Sequence, residues 1–164
     1  MSVIMREIRQ GDAEEFMEIV NYYIRNTFNA YPEHEMELKW FDVLYDDFKD
    51  YPNICVYDED KGRLAGYMYM RAYRKFSCFD RTAEITYFIS PEYTGQGYGS
   101  KMLTHAIAEA KKKGIKVILA HISSLNEGSL RFHEKHGFEK CGHFKNAVEK
   151  NGTVFDTVWM QLEI

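Results

Sequence analysis

Apolar and polar residues alternate through positions 3–9, the period of a short strand, and beyond Gly11-Asp12 the period changes. Phe16, Ile19, Val20, Tyr23 and Ile24 then recur at three-to-four spacing, which predicts an amphipathic helix. The pattern lapses from Asn26 to Glu35, where Pro32 punctuates an aromatic stretch, Phe28 to Tyr31, suited to covering a cleft. A second helical pattern carries Met36, Trp40, Phe41, Leu44 and Phe48. Ile54–Tyr57 and Leu64–Tyr73 predict strands joined by the turn-rich Glu59-Asp60-Lys61-Gly62. A third strand over Thr82–Ile89 is stopped by Ser90-Pro91, because proline lacks a ladder donor and restrains the residue before it.

After Gly95-Gln96-Gly97-Tyr98-Gly99 the positions Met102, Leu103, Ala106, Ile107 and Ala110 form one apolar helix face, closed by Gly114 as a C-cap. Val117–Ala120 is a nearly continuous apolar run, the pattern of a strand buried on both faces. A short helix spans Asn126–His136 with Gly137 at its exit, and strands at 139–148 and 154–162 pair through Asn151-Gly152. The order predicts a mixed α+β fold: a mixed, largely antiparallel central sheet with helices on both faces. No linker, repeat or low-complexity segment divides it, so one domain over 1–164 is expected.

Composition narrows the chemistry. Apolar residues make up 45% of the chain and aromatic residues 15%, enough for a full core. Net charge is −4 with no basic tail or Arg-rich run, which argues against a nucleic-acid partner. Cys55, Cys78 and Cys141 are odd in number and far apart, with no CxxC pair, so neither a disulfide framework nor a zinc site is expected. The N-terminal segment becomes charged too soon for a signal peptide, and no window approaches the roughly 20 apolar residues of a membrane span. A cytoplasmic setting without membrane association is the expectation, and Asn151-Gly152-Thr153 reads as a tight turn rather than a glycosylation site.

Ile89-Ser90-Pro91-Glu92-Tyr93-Thr94-Gly95-Gln96-Gly97-Tyr98-Gly99-Ser100-Lys101 lies between a predicted strand and helix. Closely spaced glycines let backbone N–H groups converge on an anion, and the helix start adds unsatisfied donors and a positive dipole end. Lys101 adds charge at the edge. A plain strand-to-helix turn would use the same residues. The stretch fits neither GxxxxGK[ST] nor GxGxxG, since Ser100 stands at the final glycine of the latter. It resembles the acetyl-CoA-binding motif of the GCN5-related N-acetyltransferase (GNAT) superfamily, with Gly97 and Gly99 in the small positions and Thr94 where Arg or Gln is usual. The resemblance implies the GNAT fold, acetyl-CoA as acetyl-donor cosubstrate without a metal, and a pyrophosphate cradle spanning Gln96, Gly97, Tyr98, Gly99, Ser100 and Lys101.

Asn126-Glu127-Gly128-Ser129-Leu130-Arg131-Phe132-His133-Glu134-Lys135-His136-Gly137-Phe138 is good helix construction in its own right, with Asn126 as N-cap and Gly137 as terminator. It also resembles the family signature that follows the glycine turn. By that resemblance Asn126 and Ser129 contact the cofactor, and His133 takes the place of a tyrosine that protonates the departing thiolate. His133 is left as an acid or as a cofactor or structural contact.

Thr82-Ala83-Glu84 places a carboxylate inside an apolar strand, where on an exposed face it would be an ordinary solvated group. With the two segments above, and with similarity from Ile8 to Leu162, it resembles the phosphinothricin and methionine sulfoximine acetyltransferase branch. That implies Glu84 as general base, backbone N–H groups near Phe88 and Ile89 as oxyanion donors, and direct attack in a ternary complex. Arg71, Arg74 and Lys75 follow an apolar strand, either as a solvated cluster or as a carboxylate anchor; Arg74 matches the branch's basic contact. Phe76 stands where a second basic residue is common, which disfavours a doubly acidic acceptor. Phe28, Tyr31 and Tyr73 serve as pocket walls or core. The expected partner is a small-molecule amine, an amino acid or its analogue, with a homodimer common among relatives. The alternatives are another small amine, a protein N-terminus, or a noncatalytic acetyl-CoA sensor.

Overall fold

The computed structural model describes residues 2–164. In chain order the elements are β1 (Val3–Arg6), α1 (Ala13–Asn26), α2 (Trp40–Phe48), β2 (Asn53–Asp58), β3 (Arg63–Ala72), β4 (Thr82–Ile89), α3 (Tyr98–Lys112), β5 (Val117–Ser123), α4 (Glu127–Lys135), β6 (Glu139–Lys150) and β7 (Thr153–Glu163). The seven strands form one sheet ordered β1-β2-β3-β4-β5-β7-β6. All neighbours are antiparallel except β4 and β5.

Alternation along the central strands feeds two cores. Met68, Met70, Ala83, Ile85, Ile118 and Ala120 face α3 and α4 with Met102, Leu103 and Phe138. Tyr67 and Tyr69 face the other way, onto Phe16, Ile24, Phe41 and Phe48 of α1 and α2. Phe16 stacks on Tyr67 with ring centroids 3.7 Å apart, fixing α1 to the middle of the sheet. The lead into α1 is held by Asp12, whose carboxylate accepts from the Arg6 guanidinium at 2.7 and 2.8 Å and from Arg9 N–H at 2.7 Å.

Three boundaries differ from the sequence pattern, each because a side chain takes over a backbone group. β1 ends at Arg6, and Ile8 N–H donates instead to Asn53 Oδ1 at 3.0 Å. α2 begins only at Trp40, because the Asn21 amide clasps both the N–H and C=O of Met36. β6 continues to Lys150 past an irregularity between Phe144 and Val148, where Asn146 N–H donates to Asp156 Oδ1 at 2.7 Å. The hairpin closes at Asn151 and Gly152, both at positive φ (50° and 79°), the geometry that Asn-Gly favours.

Lys150 is fully buried, and its ammonium donates to the carbonyls of Ile24, Thr27 and Ala30 at 2.7–2.9 Å. It therefore caps α1 and pins the 27–31 segment to the β6–β7 hairpin. Among the described residues no helix is long and apolar enough to cross a membrane.

Candidate active site

β4 and β5 pair only over Thr82–Glu84 and Val117–Leu119, although they run on to Ile89 and Ser123. Beyond Glu84 they diverge and open a cleft of about 460 Å³, lined from β4 by Ile85–Ile89 and from β5 by Ala120–Ser123. Ser90 N–H donates to Ala65 O on β3 at 2.8 Å, so ladder alternation turns the N–H of Phe88 towards β3 as well. The N–H groups of Tyr87 and Ile89 face the opening, and Ile89 O, pointing the same way, accepts from Tyr23 OH at 2.6 Å. Of the two oxyanion positions read from the sequence, Ile89 faces the gap, whereas Phe88 gives its backbone to the sheet and its ring to Tyr23 and Tyr67.

Thr94, Gly95 and Gly99 line the far end of the cleft, where α3 begins. Gly95 and Gly97 adopt φ of +75° and +81°, and a Cβ built on either would meet nothing within 4 Å. The turn thus holds open space that a side chain would fill, against a helix start that no side chain caps. Gly99 serves a different end: a Cβ there would come within 3.4 Å of the Phe132 ring, so it lets α3 approach α4. Gln96 turns its amide back to Glu92 O at 3.1 Å, and Lys101 stands 5.6 Å from the centre of the Tyr98 ring at the helix edge. These features fit a diphosphate held by backbone donors rather than by the Gln96 side chain.

α4 enters the cleft wall with Asn126, whose Oδ1 caps it by accepting from Ser129 N–H at 3.1 Å. His133 is buried behind that wall. Its Nδ1–H donates to Ser129 O at 2.7 Å, which leaves Nε2 to accept from the Tyr87 hydroxyl. Burial pushes the His133 imidazolium down to about 4. The ring is thus held neutral with both nitrogens engaged, one by Tyr87 and one by Ser129. Ser100 and His136 are also joined, at 3.0 Å, with His136 Nδ1 on Phe132 O at 2.7 Å.

The acceptor end lies on the α1 side of the sheet. Glu84 is mostly buried, and Arg71, its β3 partner in register, donates to Oε1 at 3.4 Å. A row of rings runs beside this pair: Tyr73 to Trp159 at 6.0 Å, Trp159 to His121 at 4.3 Å, and His121 to Tyr31 at 5.2 Å. The Tyr31 hydroxyl is buried without a hydrogen-bond partner among the described residues. Its pKa is pushed up to about 12 by burial and, second, by the Glu84 charge. Tyr31 and Tyr73 therefore belong to the row, while Phe28 packs on Phe155 at 5.5 Å, at its far end. Arg74 is exposed and lies over the Tyr73 ring at 4.4 Å, and Phe76 is 70% exposed. Arg71, not Arg74, is the cation set against Glu84. Sequence reasoning overlooked His121 and Tyr23, whose placement depends on pairings between distant segments.

A sheet parted beside a glycine turn at a helix start, with a carboxylate where the strands separate, defines an acyl-transferring class of protein that holds its donor between two strands. The model of the Acetyltransferase (GNAT) domain matches residues 5–159, and the chain belongs to that family. It is an acetyl-CoA-dependent N-acetyltransferase. It is 28% identical over 164 residues to the L-amino acid N-acyltransferase MnaT of Escherichia coli, covering 98% of this chain and 93% of that one. It is 29% identical over 168 residues to the L-methionine sulfoximine/L-methionine sulfone acetyltransferase of Pseudomonas aeruginosa, covering 100% and 96%. Among solved structures, a phosphinothricin acetyltransferase from Sinorhizobium meliloti in complex with AcCoA superposes with a TM-score of 0.92 at 25% identity, covering 100% of this chain and 89% of that one.

Proposed function

We propose that the protein acetylates the α-amino group of a free amino acid or close analogue carrying one carboxylate, of the methionine sulfoximine kind, with Glu84 as general base. The observation that carries this reading is the Arg71–Glu84 pair at the point where β4 and β5 part. A single long contact leaves the Arg71 guanidinium with donors for a second, bidentate partner, and an acceptor carboxylate has that geometry. Glu84 then faces the acceptor's ammonium. Arg74 and Phe76 stand outside the site, so neither adds a second cation beside Arg71, which matches a monocarboxylic acceptor better than a doubly acidic one. Relatives named for methionine sulfoximine, methionine sulfone and L-amino acids support the same class.

Acetyl-CoA, when bound, supplies the thioester carbonyl that the amine attacks. The turn Gln96–Gly99 and the first turn of α3, through Ser100 and Lys101, hold its diphosphate, and Asn126 and Ser129 border the pantetheine path. Ile89 N–H, aided by Tyr87 N–H, meets the negative charge that develops on the carbonyl oxygen. Glu84, directly or through a water, takes the ammonium proton. The neighbouring rings of Tyr31, His121 and Trp159 exclude water and shape the acceptor pocket.

Glu84→Gln tests the base assignment. Turnover is expected to fall about a hundredfold or more with the KM for acetyl-CoA unchanged; normal turnover in that variant removes Glu84 from the chemistry.

A further inference from the structure

Two histidines, His121 and His133, line the cleft and a third, His136, follows α4 behind it; they are not equivalent. His133 and His136 each have both ring nitrogens engaged by protein groups. His121 has neither nitrogen hydrogen-bonded among the described residues, although its ring lines the cleft. It sits two residues beyond Leu119, the register partner of Glu84, so strand alternation brings it to the Glu84 face of the sheet, one step into the opening. Its plane is held by Trp159, 4.3 Å away and within 12° of parallel, and by Tyr31, stacked at 5.2 Å. A histidine in the cleft lining, held between two rings and with no protein group on its nitrogens among the described residues, is free to exchange a proton.

We infer that His121 is the second proton acceptor of the reaction, receiving through Glu84 the proton that leaves the acceptor's ammonium. The inference rests on Glu84 acting as the first base. An N–H bond of the ammonium breaks, and its proton moves to a Glu84 oxygen and on, through a bridging water, to an imidazole nitrogen of His121; the freed lone pair forms the new N–C bond while the thioester C–S bond breaks, its electron pair leaving on sulfur as the CoA thiolate, which takes up a proton from solvent. The imidazolium returns the proton to solvent at the cleft mouth. A carboxylate alone is a poor sink for an ammonium proton, and an imidazole is ordinarily the stronger base; burial reduces that advantage at His121 and the Glu84 charge works to restore it.

The charged and titratable groups facing His121 are Glu84 from β4, Arg71 from β3 and the Tyr31 phenol from the 27–31 segment; Trp159 of β7 carries no charge. Burial lowers the imidazolium pKa below 6.5, Glu84 works to raise it, and Arg71 lowers it again. The resting ring is therefore neutral and ready to accept a proton at neutral pH. An acceptor carboxylate that occupies Arg71 offsets the nearby positive charge and makes His121 more basic only when substrate is present.

The test compares kcat/KM against pH for the wild type, His121→Phe, His121→Asn and Glu84→Gln, with methionine sulfoximine as acceptor. His121→Phe keeps a flat ring for the Tyr31–Trp159 stack and removes the base; His121→Asn keeps polarity and removes the stack. Both are expected to lower kcat about tenfold or more, with the KM for acetyl-CoA unchanged and the acidic limb of the wild-type profile lost. Full turnover with an unchanged acidic limb in His121→Phe, while Glu84→Gln is impaired, overturns the relay and leaves Glu84 as sole base. Normal turnover in Glu84→Gln overturns both.

Discussion

Glu84 and Arg71 face each other across β3 and β4 at 3.4 Å, so substituting either changes a different step. Arg71→Ala removes the proposed carboxylate anchor and is expected to raise the KM for the amino acid about tenfold or more, without affecting the KM for acetyl-CoA; equal KM values for both substrates in wild type and variant would assign the anchor elsewhere. His133 gives a stability prediction. Its folded pKa, about 4, lies below the 6.5 of an unstrained histidine, so below pH 6.5 the unfolded chain binds a proton that the fold refuses. The contribution is fully present above pH 6.5 and is lost as pH falls towards 4, amounting to about 2 kcal/mol between pH 7 and pH 5. Urea unfolding at the two pH values should show a smaller loss in His133→Phe than in wild type. No local sequence pattern reports that the His133 ring lies against the Tyr87 hydroxyl and the Ser129 carbonyl. Arg74 and Arg71 illustrate the same limit: three residues apart on one strand end, they are told apart only by which one β4 lies beside.

At the scale of elements, the periodicity of α1 and α3, the proline stop after β4 and the Asn-Gly turn were legible because each depends on neighbours within a few residues. The late start of α2 was not, since an amide from α1 takes both backbone groups of Met36. Lys150 is a second case: in sequence it is one charge beside a turn, yet it is buried as the cap of α1. Lys150→Met leaves three carbonyls without their donor and is expected to destabilise the fold by about 3 kcal/mol. Because the same ammonium pins Thr27 and Ala30, the KM for the acceptor should rise before that for acetyl-CoA does. Stability equal to wild type by denaturant titration would show that the cap is dispensable. In the glycine turn, Gly97→Ala must hold a Cβ at φ +81°, at a cost of about 1–2 kcal/mol, and places that Cβ in the open space proposed for the diphosphate. A weaker affinity for acetyl-CoA, read by calorimetry, is the expected outcome; unchanged affinity would move the diphosphate away from the turn.

The whole molecule works by leaving one sheet incomplete. Two cores, one under α1 and α2 and the other under α3 and α4, hold the strands firmly enough for β4 and β5 to part without collapse. The proposed donor cradle and the proposed acceptor pocket both border that opening, the first set by a local motif and the second by strand register. That division is why the family could be read from sequence, whereas the meeting of Arg71, His121 and Tyr31, drawn from separate elements, could not. The most direct test of the account is thiol release from acetyl-CoA, with mass detection of the N-acetyl product, across free amino acids, methionine sulfoximine, phosphinothricin and the matching amines that lack a carboxylate. The account predicts efficient transfer to a monocarboxylic amino acid or analogue, weaker transfer to phosphinothricin, and little to the decarboxylated amines. Equal transfer to amines without a carboxylate, or none to any amino acid despite acetyl-CoA binding, would contradict it.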